Sequence, residues 1–367
     1  MSSTDVQQQG NTLGGSRAPP PTPSQGGNNS SATTVNNDAF SAFLEKSLGF
    51  SSLVLPESPL KTSITECDLP VIDFSSARDD LVRRITDSAA EFGCFQVINH
   101  GVSFDVAEKA EKECDGLFEL ALEKKEAISR SLESLFGFED GGCDTSTSTR
   151  QESFWLEKEP SQIEDFMRNI WPEGCGNLSC ALGDYSSAME KVAGEILDHL
   201  LEGLGDWDRS SFMADIVTNN ASVICISNQK GPVKPQSARL KHSYPFILTL
   251  QHQNTSDSFE VYVDRSWVRV SPQAGTLLVT LGDIMKVWSN GEYKSAVGRP
   301  TMISEQACTS MALIYSPPTE SMICPIPEVL NSDKMPHYGS FSFKDYASRL
   351  RKQRLLFKDP VERYKIL

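Results

Sequence analysis

The sequence lacks a long apolar run and an excess of basic residues. No stretch approaches the ~18 apolar residues expected of a membrane-spanning helix, and the N-terminus has neither the basic start nor the apolar core of a signal peptide. Lys and Arg number 34 against 49 Asp and Glu, which gives a net charge of −15. Binding to nucleic acids requires clustered Lys and Arg, so we expect no nucleic acid as a partner. Because the sequence has no membrane-spanning run, we expect no membrane as a partner either.

Cysteine is present but has no spacing that indicates a function. The nine cysteines are an odd number, and this pattern predicts reduced thiols in a reducing compartment. We therefore expect a cytoplasmic protein, with the nucleus as the alternative. Cys175 and Cys180 are close together, but no second pair completes a zinc-binding spacing.

Composition divides the 367 residues into five regions. The first is rich in Gln, Gly, Ser, Thr, Asn and Pro and has almost nothing apolar to bury, so it is predicted to be disordered. The predicted regions are a disordered tail (1–37), a helix and linker (38–68), an N-terminal region (69–210), a jelly-roll domain (211–330) and a C-terminal helical segment (331–367).

Hydrophobic periodicity predicts alternating strands and helices after the linker. The predicted elements are a strand at Leu69–Phe74, a helix at Ala77–Phe92, a strand at Gly93–Gly101, a helix at Val106–Ser129, a polar loop at 137–151, a helix at Tyr185–Leu204 and a helix at Phe341–Tyr364. Between residues 222 and 283, several short strands alternate with turn signals. Such a series is typical of a jelly roll.

Three short motifs carry a resemblance to a known family. They are His242-Ser243-Tyr244-Pro245 with the strand that follows to Gln251, the run Ser289 to Ser295 with Arg299 beyond it, and Cys308-Thr309-Ser310. In these motifs the chain resembles the plant-type 2-oxoglutarate/Fe(II)-dependent dioxygenases, which are related to isopenicillin N synthase. The resemblance implies a mixed α/β (α+β) fold: a double-stranded β-helix (jelly-roll) barrel with an N-terminal helical subdomain.

The chain departs from the family pattern at the positions that carry its chemistry. The family binds iron through His-x-Asp and a distal His, and here His242 is the only surviving ligand position, because Tyr244 replaces the Asp and Gly298 the distal His. The family grips 2-oxoglutarate with Arg-x-Ser, of which Ser310 remains and Cys308 replaces the Arg. A fourth departure is Ser227–Pro232, which lacks the Tyr of the family's Asn-x-Tyr-Pro.

These losses predict a catalytically inactive family member without a cofactor, although the family's cofactors are Fe(II) and 2-oxoglutarate. Such a protein would bind a small apolar metabolite or a protein partner in a regulatory role. Two alternatives stay open. One is an active dioxygenase of plant secondary or hormone metabolism with a rearranged metal site, for which His252, Asp283 and Cys308 are candidates. His252 is expected instead to be a surface residue at a strand end. The other is a structural partner of an active paralogue. His100 is expected to be hydrogen-bonded at a strand end rather than to bind metal.

Overall fold

The computed structural model describes most of the chain beyond the predicted linker. The described residues are 65–66, 69–131, 134–144, 149–230, 242–243, 246–252, 257–263, 266–270, 275–302, 308–330, 334–352 and 360–366. They belong to one compact unit. The predicted disordered tail, nearly all of the predicted helix and linker, and Tyr244 lie outside the described residues.

A layer of helices supports the molecule. In the described part of the chain the α-helices are α1 (Arg78–Glu91), α2 (Phe104–Glu119), α3 (Leu122–Glu126), α4 (Pro160–Met167), α5 (Cys175–Glu202), α6 (Ser210–Asn219), α7 (Asp283–Trp288) and α8 (Phe343–Lys352), and short 3-10 turns cover Pro327–Val329 and Pro360–Tyr364. As the spacing predicts, α1 buries Leu81, Ile85 and Ala89 on one face. The long helix α5 contacts α1, α2 and α4, and it also contacts two strands of a sheet.

The strands form two main sheets. The described strands are β1 (Thr65–Glu66), β2 (Val71–Asp73), β3 (Cys94–Ile98), β4 (Gly137–Asp144), β5 (Thr149–Glu157), β6 (Val223–Lys230), β7 (His242–Ser243), β8 (Leu248–His252), β9 (Asp257–Val263), β10 (Ser266–Val270), β11 (Leu277–Leu281), β12 (Val297–Met302), β13 (Cys308–Tyr315), β14 (Met322–Ile323) and β15 (Phe341–Ser342). A five-stranded sheet has the order β1-β10-β9-β12-β7, and an eight-stranded sheet has the order β2-β3-β11-β8-β13-β6-β5-β4. Most neighbouring strands are antiparallel. Because the sheets are combined with a layer of helices, the fold is mixed α/β, as predicted.

Two predicted elements are wrong. Residues 137–151 were expected to be a polar loop, but they contribute to the antiparallel pair of β4 and β5, which continues the sheet beyond β6. The Gly- and Ser-rich composition does not predict this pair of strands. The ring centroids of its buried residues Phe138 and Phe154 lie 5.2 Å apart. The predicted helix at Val106–Ser129 is two helices, because Leu120 and Ala121 adopt extended backbone angles between α2 and α3.

The predicted C-terminal helix is shorter than expected. Helix α8 ends at Lys352, and the segment that follows is described again only from Pro360, where a 3-10 turn begins. Among the described helices, none combines the length and the apolar character needed to cross a membrane.

The eight-stranded sheet has two different faces. Along β11, Leu277 and Val279 pack in the large core that includes α1, α2 and α5. Leu278, between them, packs instead with Val261 and Val270 of the five-stranded sheet. Because side chains alternate along a strand, residues paired with Leu278 share its side of the sheet. We call this side the inter-sheet face, and the opposite side the helix face.

Candidate functional site

Two positions of the predicted iron motif lie opposite each other in the five-stranded sheet. Gly298 of β12 pairs with His242 of β7 on one side and with Val261 of β9 on the other. Val261 packs toward the eight-stranded sheet. Directly paired residues project to the same side of a sheet, so positions 242 and 298 both belong to the side that faces the other sheet.

The residues predicted to contact 2-oxoglutarate lie on the facing sheet. Cys308 pairs with Gln229, and Ser310 pairs with Ser227. Ala312 has the same alternation on β13 and pairs with Gln251, whose partner on β11 is Leu278. This continuous row assigns Cys308 and Ser310 to register positions on the inter-sheet face. The register therefore assigns iron positions 242 and 298 and cosubstrate positions 308 and 310 to the sides of the two sheets that face each other.

The register also joins two of the four departures. Gln229 lies within Ser227–Pro232, where the family's Tyr is missing, and it is the cross-strand partner of Cys308, where the Arg is missing. Ser227 and Ser310, in the next row, are joined by Ser153 of β5. This part of the inter-sheet face thus has serine, glutamine and cysteine at its register positions, and position 308 is the one where the family has a cation.

The best-preserved family motif has a structural role. In the run Ser289 to Ser295, Tyr293 donates its hydroxyl to the Leu200 carbonyl of α5 at 2.8 Å, and Lys294 donates to the Glu91 carbonyl of α1 at 2.6 Å. These bonds attach the segment after α7 to the helical layer. The preserved motif therefore accounts for architecture and does not indicate activity.

Asn290 has both a backbone conformation and side-chain hydrogen bonds that favour asparagine at this position of the motif. Asn290 has φ 54°, in the left-handed region that Asn tolerates better than most residues. Its side-chain amide donates to the Met335 carbonyl at 3.1 Å, and its oxygen accepts from the His337 amide at 2.7 Å. The turn therefore fastens the loop before β15 to the end of α7.

Among the described residues, the candidate ligands Asp283 and His252 belong to no group of three possible metal ligands. Asp283 is fully buried, and its two oxygens accept hydrogen bonds from Ser295 and Tyr346, each at 2.6 Å. His252 is the last residue of β8, on the helix-face alternation with its partner Leu277. The pKa of His252 is lowered, first by burial and then by the neighbouring His100.

His100 is hydrogen-bonded at a strand end, as expected. Its Nδ1 accepts from the Val102 amide at 3.2 Å, and its Nε2 lies 3.1 Å from the Gly275 carbonyl. One neutral tautomer satisfies both contacts, with the proton on Nε2. Burial lowers the pKa of His100, which agrees with a neutral ring.

Among the described residues, one group of three possible metal ligands occurs, and it lies on α5. Asp198, His199 and Glu202 offer ligand atoms within 4.8 Å of one another. Arg209 donates to both carboxylates at 2.8 Å, and Arg78 also pairs with both. Two guanidinium groups already neutralise this cluster, which belongs to the helical layer and not to the inter-sheet face.

Two residues beside the inter-sheet face, Arg130 and Trp155, were not predicted from the sequence. The Arg130 guanidinium lies over the Trp155 ring, 3.8 Å from its centroid. Arg130 also donates to the Leu135 carbonyl and to the Glu139 carboxylate, both at 2.7 Å. Trp155 pairs with Cys225, in the row that continues to Ala312. No motif marks Arg130, and Trp155 is adjacent to the segment predicted to be a loop.

A buried ion pair lies on the helix face, the side of the sheet opposite to Trp155. Lys125 of α3 donates to Glu152 of β5 at 2.9 Å, and both side chains are about 95 % buried. Lys125 also donates to the Phe118 carbonyl at 3.2 Å. Glu152 pairs with Asn228, whose amide donates to Thr309 at 2.9 Å. The helix face thus has its own polar row, one residue out of step with the inter-sheet row.

Two family models match the chain in the regions that form this architecture. The model for the non-haem dioxygenase in morphine synthesis N-terminal region matches residues 69–174, and the model for the 2OG-Fe(II) oxygenase superfamily matches residues 220–317. The chain belongs to the 2OG-Fe(II) oxygenase superfamily. Its jelly-roll fold and the suspected family are thereby confirmed.

Individual relatives agree with this assignment. Flavonol synthase 1 of Crocosmia x crocosmiiflora is 27 % identical over 76 % of this chain and 85 % of its own length. Gibberellin 3-beta-dioxygenase 1 of Arabidopsis thaliana is 28 % identical over 76 % of this chain and 79 % of its own. The crystal structure of JOX2 in complex with 2OG, Fe and JA has a TM-score of 0.70 and 24 % identity, covering 88 % of this chain and 97 % of that one.

The expectation of no cofactor is wrong. The matching family model is that of oxygenases that use Fe(II) and 2-oxoglutarate, and both are present in the JOX2 complex. The cofactors of this family are therefore Fe(II) and 2-oxoglutarate. The residues at the family's ligand positions do not fit the usual triad, however: His242 offers an imidazole, Gly298 has no side chain, and Tyr244 offers a phenol in place of a carboxylate.

Proposed function

We propose that this oxygenase-family protein does not turn over 2-oxoglutarate and acts as a binding protein for a small organic molecule between its two sheets. The pairing of Gly298 with His242 supports the proposal most directly. A distal ligand at this point of the ladder would project beside His242, and glycine supplies none. The chemistry needs two histidines and a carboxylate that together leave open positions on the metal.

The second wall supports the same proposal. An Arg–carboxylate pair contributes about 1.5–3 kcal/mol, and Cys308 cannot form one. Cys308 pairs with Gln229, and the row of Ser310 continues through Ser227 and Ser153 to Glu139, so the charged residue of that row is an acid. Such a wall grips the far carboxylate of 2-oxoglutarate weakly, whichever of the family's cofactors the chain retains.

The relatives suggest the size of the ligand. Flavonol synthase and gibberellin 3-beta-dioxygenase are named for small organic molecules, and the JOX2 complex contains JA. Largely apolar walls with a few polar groups are typical of sites for such molecules. We infer that the ligand of this chain is also a small and mostly apolar compound.

Turnover in the presence of both cofactors tests the proposal. The purified protein, supplied with Fe(II), ascorbate and 2-oxoglutarate, is expected to form no more succinate than its His242→Ala variant. Succinate above that control would overturn the inactive assignment and favour the alternative, an active dioxygenase with a rearranged metal site. Co-purification of a catalytically competent relative from native extract would favour the other alternative, a structural partner.

A further inference from the structure

We propose that Arg130 is a ligand-binding cation at the edge of the inter-sheet face, and that the bound molecule carries a single carboxylate on an apolar or aromatic body. This inference rests on the proposed binding function and specifies the chemistry of the ligand. It assigns to Arg130 and Trp155 the recognition of the acidic end, in place of the cation that the family has at position 308.

The geometry of Arg130 suits recognition of a flat anion. The central carbon of its guanidinium lies over the Trp155 ring, 3.8 Å from the ring centroid, and the side chain is 15 % exposed. Its Nε is fixed by the Leu135 carbonyl. A guanidinium held in this way presents its remaining N–H groups in one plane, which matches the two oxygens of a carboxylate.

The register shows which side of the sheet Arg130 occupies. Trp155 pairs with Cys225, which pairs with Ala312, and this row ends at Leu278 on the inter-sheet face. Within the wall, Trp155 donates to the Ser153 hydroxyl at 3.3 Å. The next row contains Ser153 and Glu139. Arg130 contacts both rows, through the ring of Trp155 and through the Glu139 carboxylate, and therefore lies beside the inter-sheet face.

The thiol of Cys225 reports the same placement. Burial raises its pKa to about 11, and the charge of Arg130 opposes this rise while Glu139 adds to it. Its sulfur lies 3.7 Å from the Ser227 hydroxyl, so Cys225 belongs to the polar wall. Arg130 and Glu139 are therefore both near enough to Cys225 to influence the pKa of its thiol.

The position of the cation selects the kind of acid. Cys308 is separated from Ala312 by four residues on β13, or about 13 Å at the usual rise of a strand. Arg130 lies against Trp155 in the Ala312 row, two strands across the sheet from β13, so its place differs from the one where the family grips a dicarboxylate. An anion bound by Arg130 lies beside the Trp155 ring, which suits an apolar or aromatic body. A second carboxylate would meet Ser153, Ser227 and Ser310, which supply no cation.

Glu139 makes the arrangement adjustable. Its side chain is 51 % exposed, whereas that of Arg130 is 15 % exposed. A half-exposed ion pair contributes little in water, so a ligand carboxylate in the drier position can replace Glu139 as the partner of Arg130. Glu139 then acts as a competitor, and its removal is expected to strengthen acid binding.

Paired acids and esters test the inference by calorimetry on the full chain. The probes are 1-naphthaleneacetic acid, 3-phenylpropanoic acid and abietic acid, each with its methyl ester, at a pH where the acids are ionised. At least one acid is expected to bind tenfold or more tightly than its ester. Arg130→Gln should abolish this preference, Arg130→Lys should retain part of it, and Glu139→Gln should raise acid affinity severalfold. Arg168→Gln is the matched control, because Arg168 also pairs with a glutamate but is exposed, at the C-terminal end of α4.

Each outcome separates this inference from the proposed function. Esters that bind as tightly as the acids, or an acid preference that survives Arg130→Gln, would overturn the role of Arg130 and leave the binding function intact. Absence of binding by every probe would overturn the ligand class assigned here. Succinate formation would overturn the inactive assignment, whatever the result with the acids. Thermal melting of each variant in the absence of ligand shows whether the fold is kept.

Discussion

Gly298 lies directly opposite His242 in the ladder between β12 and β7. The two positions are 56 residues apart in the sequence, and only the pairing register brings them together. A histidine at 298 would project to the same side of the sheet as residue 242, because paired residues share a side. The frame that would position a second ligand is therefore present, and only the ligand is missing.

Restoring the two missing ligands should strengthen metal binding. The variant with Tyr244→Asp and Gly298→His is expected to bind Co(II), a spectroscopic substitute for Fe(II), at least about tenfold more tightly than the natural chain, which corresponds to about 1.4 kcal/mol. The absorption spectrum of bound Co(II) provides the measurement. Adding His242→Ala should remove the gain, and a gain that survives this change would show that the metal binds elsewhere.

Restoring the cation at 308 should strengthen binding of 2-oxoglutarate. Cys308→Arg adds a paired, charge-assisted hydrogen bond of about 1.5–3 kcal/mol, so calorimetry with Mn(II) present should show an affinity about 10- to 150-fold higher. Cys308→Lys should produce a smaller gain, because an ammonium lacks the planar fork. Equal gains for both variants would contradict a paired geometry.

The buried pair of Lys125 and Glu152 should be costly to break on one side. Lys125→Met leaves a buried carboxylate without its cation, and we expect a loss of about 3–5 kcal/mol in the free energy of unfolding. Replacing Glu152 with Leu in the same chain should recover most of this loss. Urea denaturation measures both changes, and Arg168→Gln, on the surface, should leave stability almost unchanged. A double variant as unstable as the single one would show that the pair itself is stabilising.

Buried His199 should make the protein sensitive to mild acid. Its pKa is lowered, first by burial and then by Arg78, although Glu195, Asp198 and Glu202 oppose the shift. As the pH falls through about 6.5, the unfolded chain takes up a proton that the folded chain refuses, so stability falls by at most about 1.4 kcal/mol per pH unit. His199→Leu should lessen the loss between pH 7.5 and 5.5 in urea denaturation. An unchanged loss would mean that other groups govern it.

Local sequence patterns were sufficient to predict much of the fold. The spacing of Leu81, Ile85 and Ala89 predicted α1 to within a residue at each end. The Ser289 to Ser295 motif identified the family, because its bonds to α1, α5 and the loop before β15 depend on those particular side chains. The spacing in α1 and the Ser289 to Ser295 motif are both short patterns, so each can be recognised within one segment of the sequence.

Long-range pairing could not be predicted in the same way. The strands β4 and β5 contain glycine, serine and charged residues, and they are strands because β6 offers an open ladder. The stacking of Arg130 on Trp155 depends on this same pairing, so no motif could reveal it. The composition of a segment does not record which neighbour the rest of the chain will supply.

Strand β13 carries two alternating sets of residues, one for each face of the sheet. Cys308, Ser310 and Ala312 follow one alternation, and Met311 and Leu313 follow the other, where Met311 touches Cys114 of α2 at 3.8 Å. A substitution in the first set leaves the packing of the second untouched. A barrel built in this way can change the residues between its sheets one at a time while the residues that pack against its helices are kept.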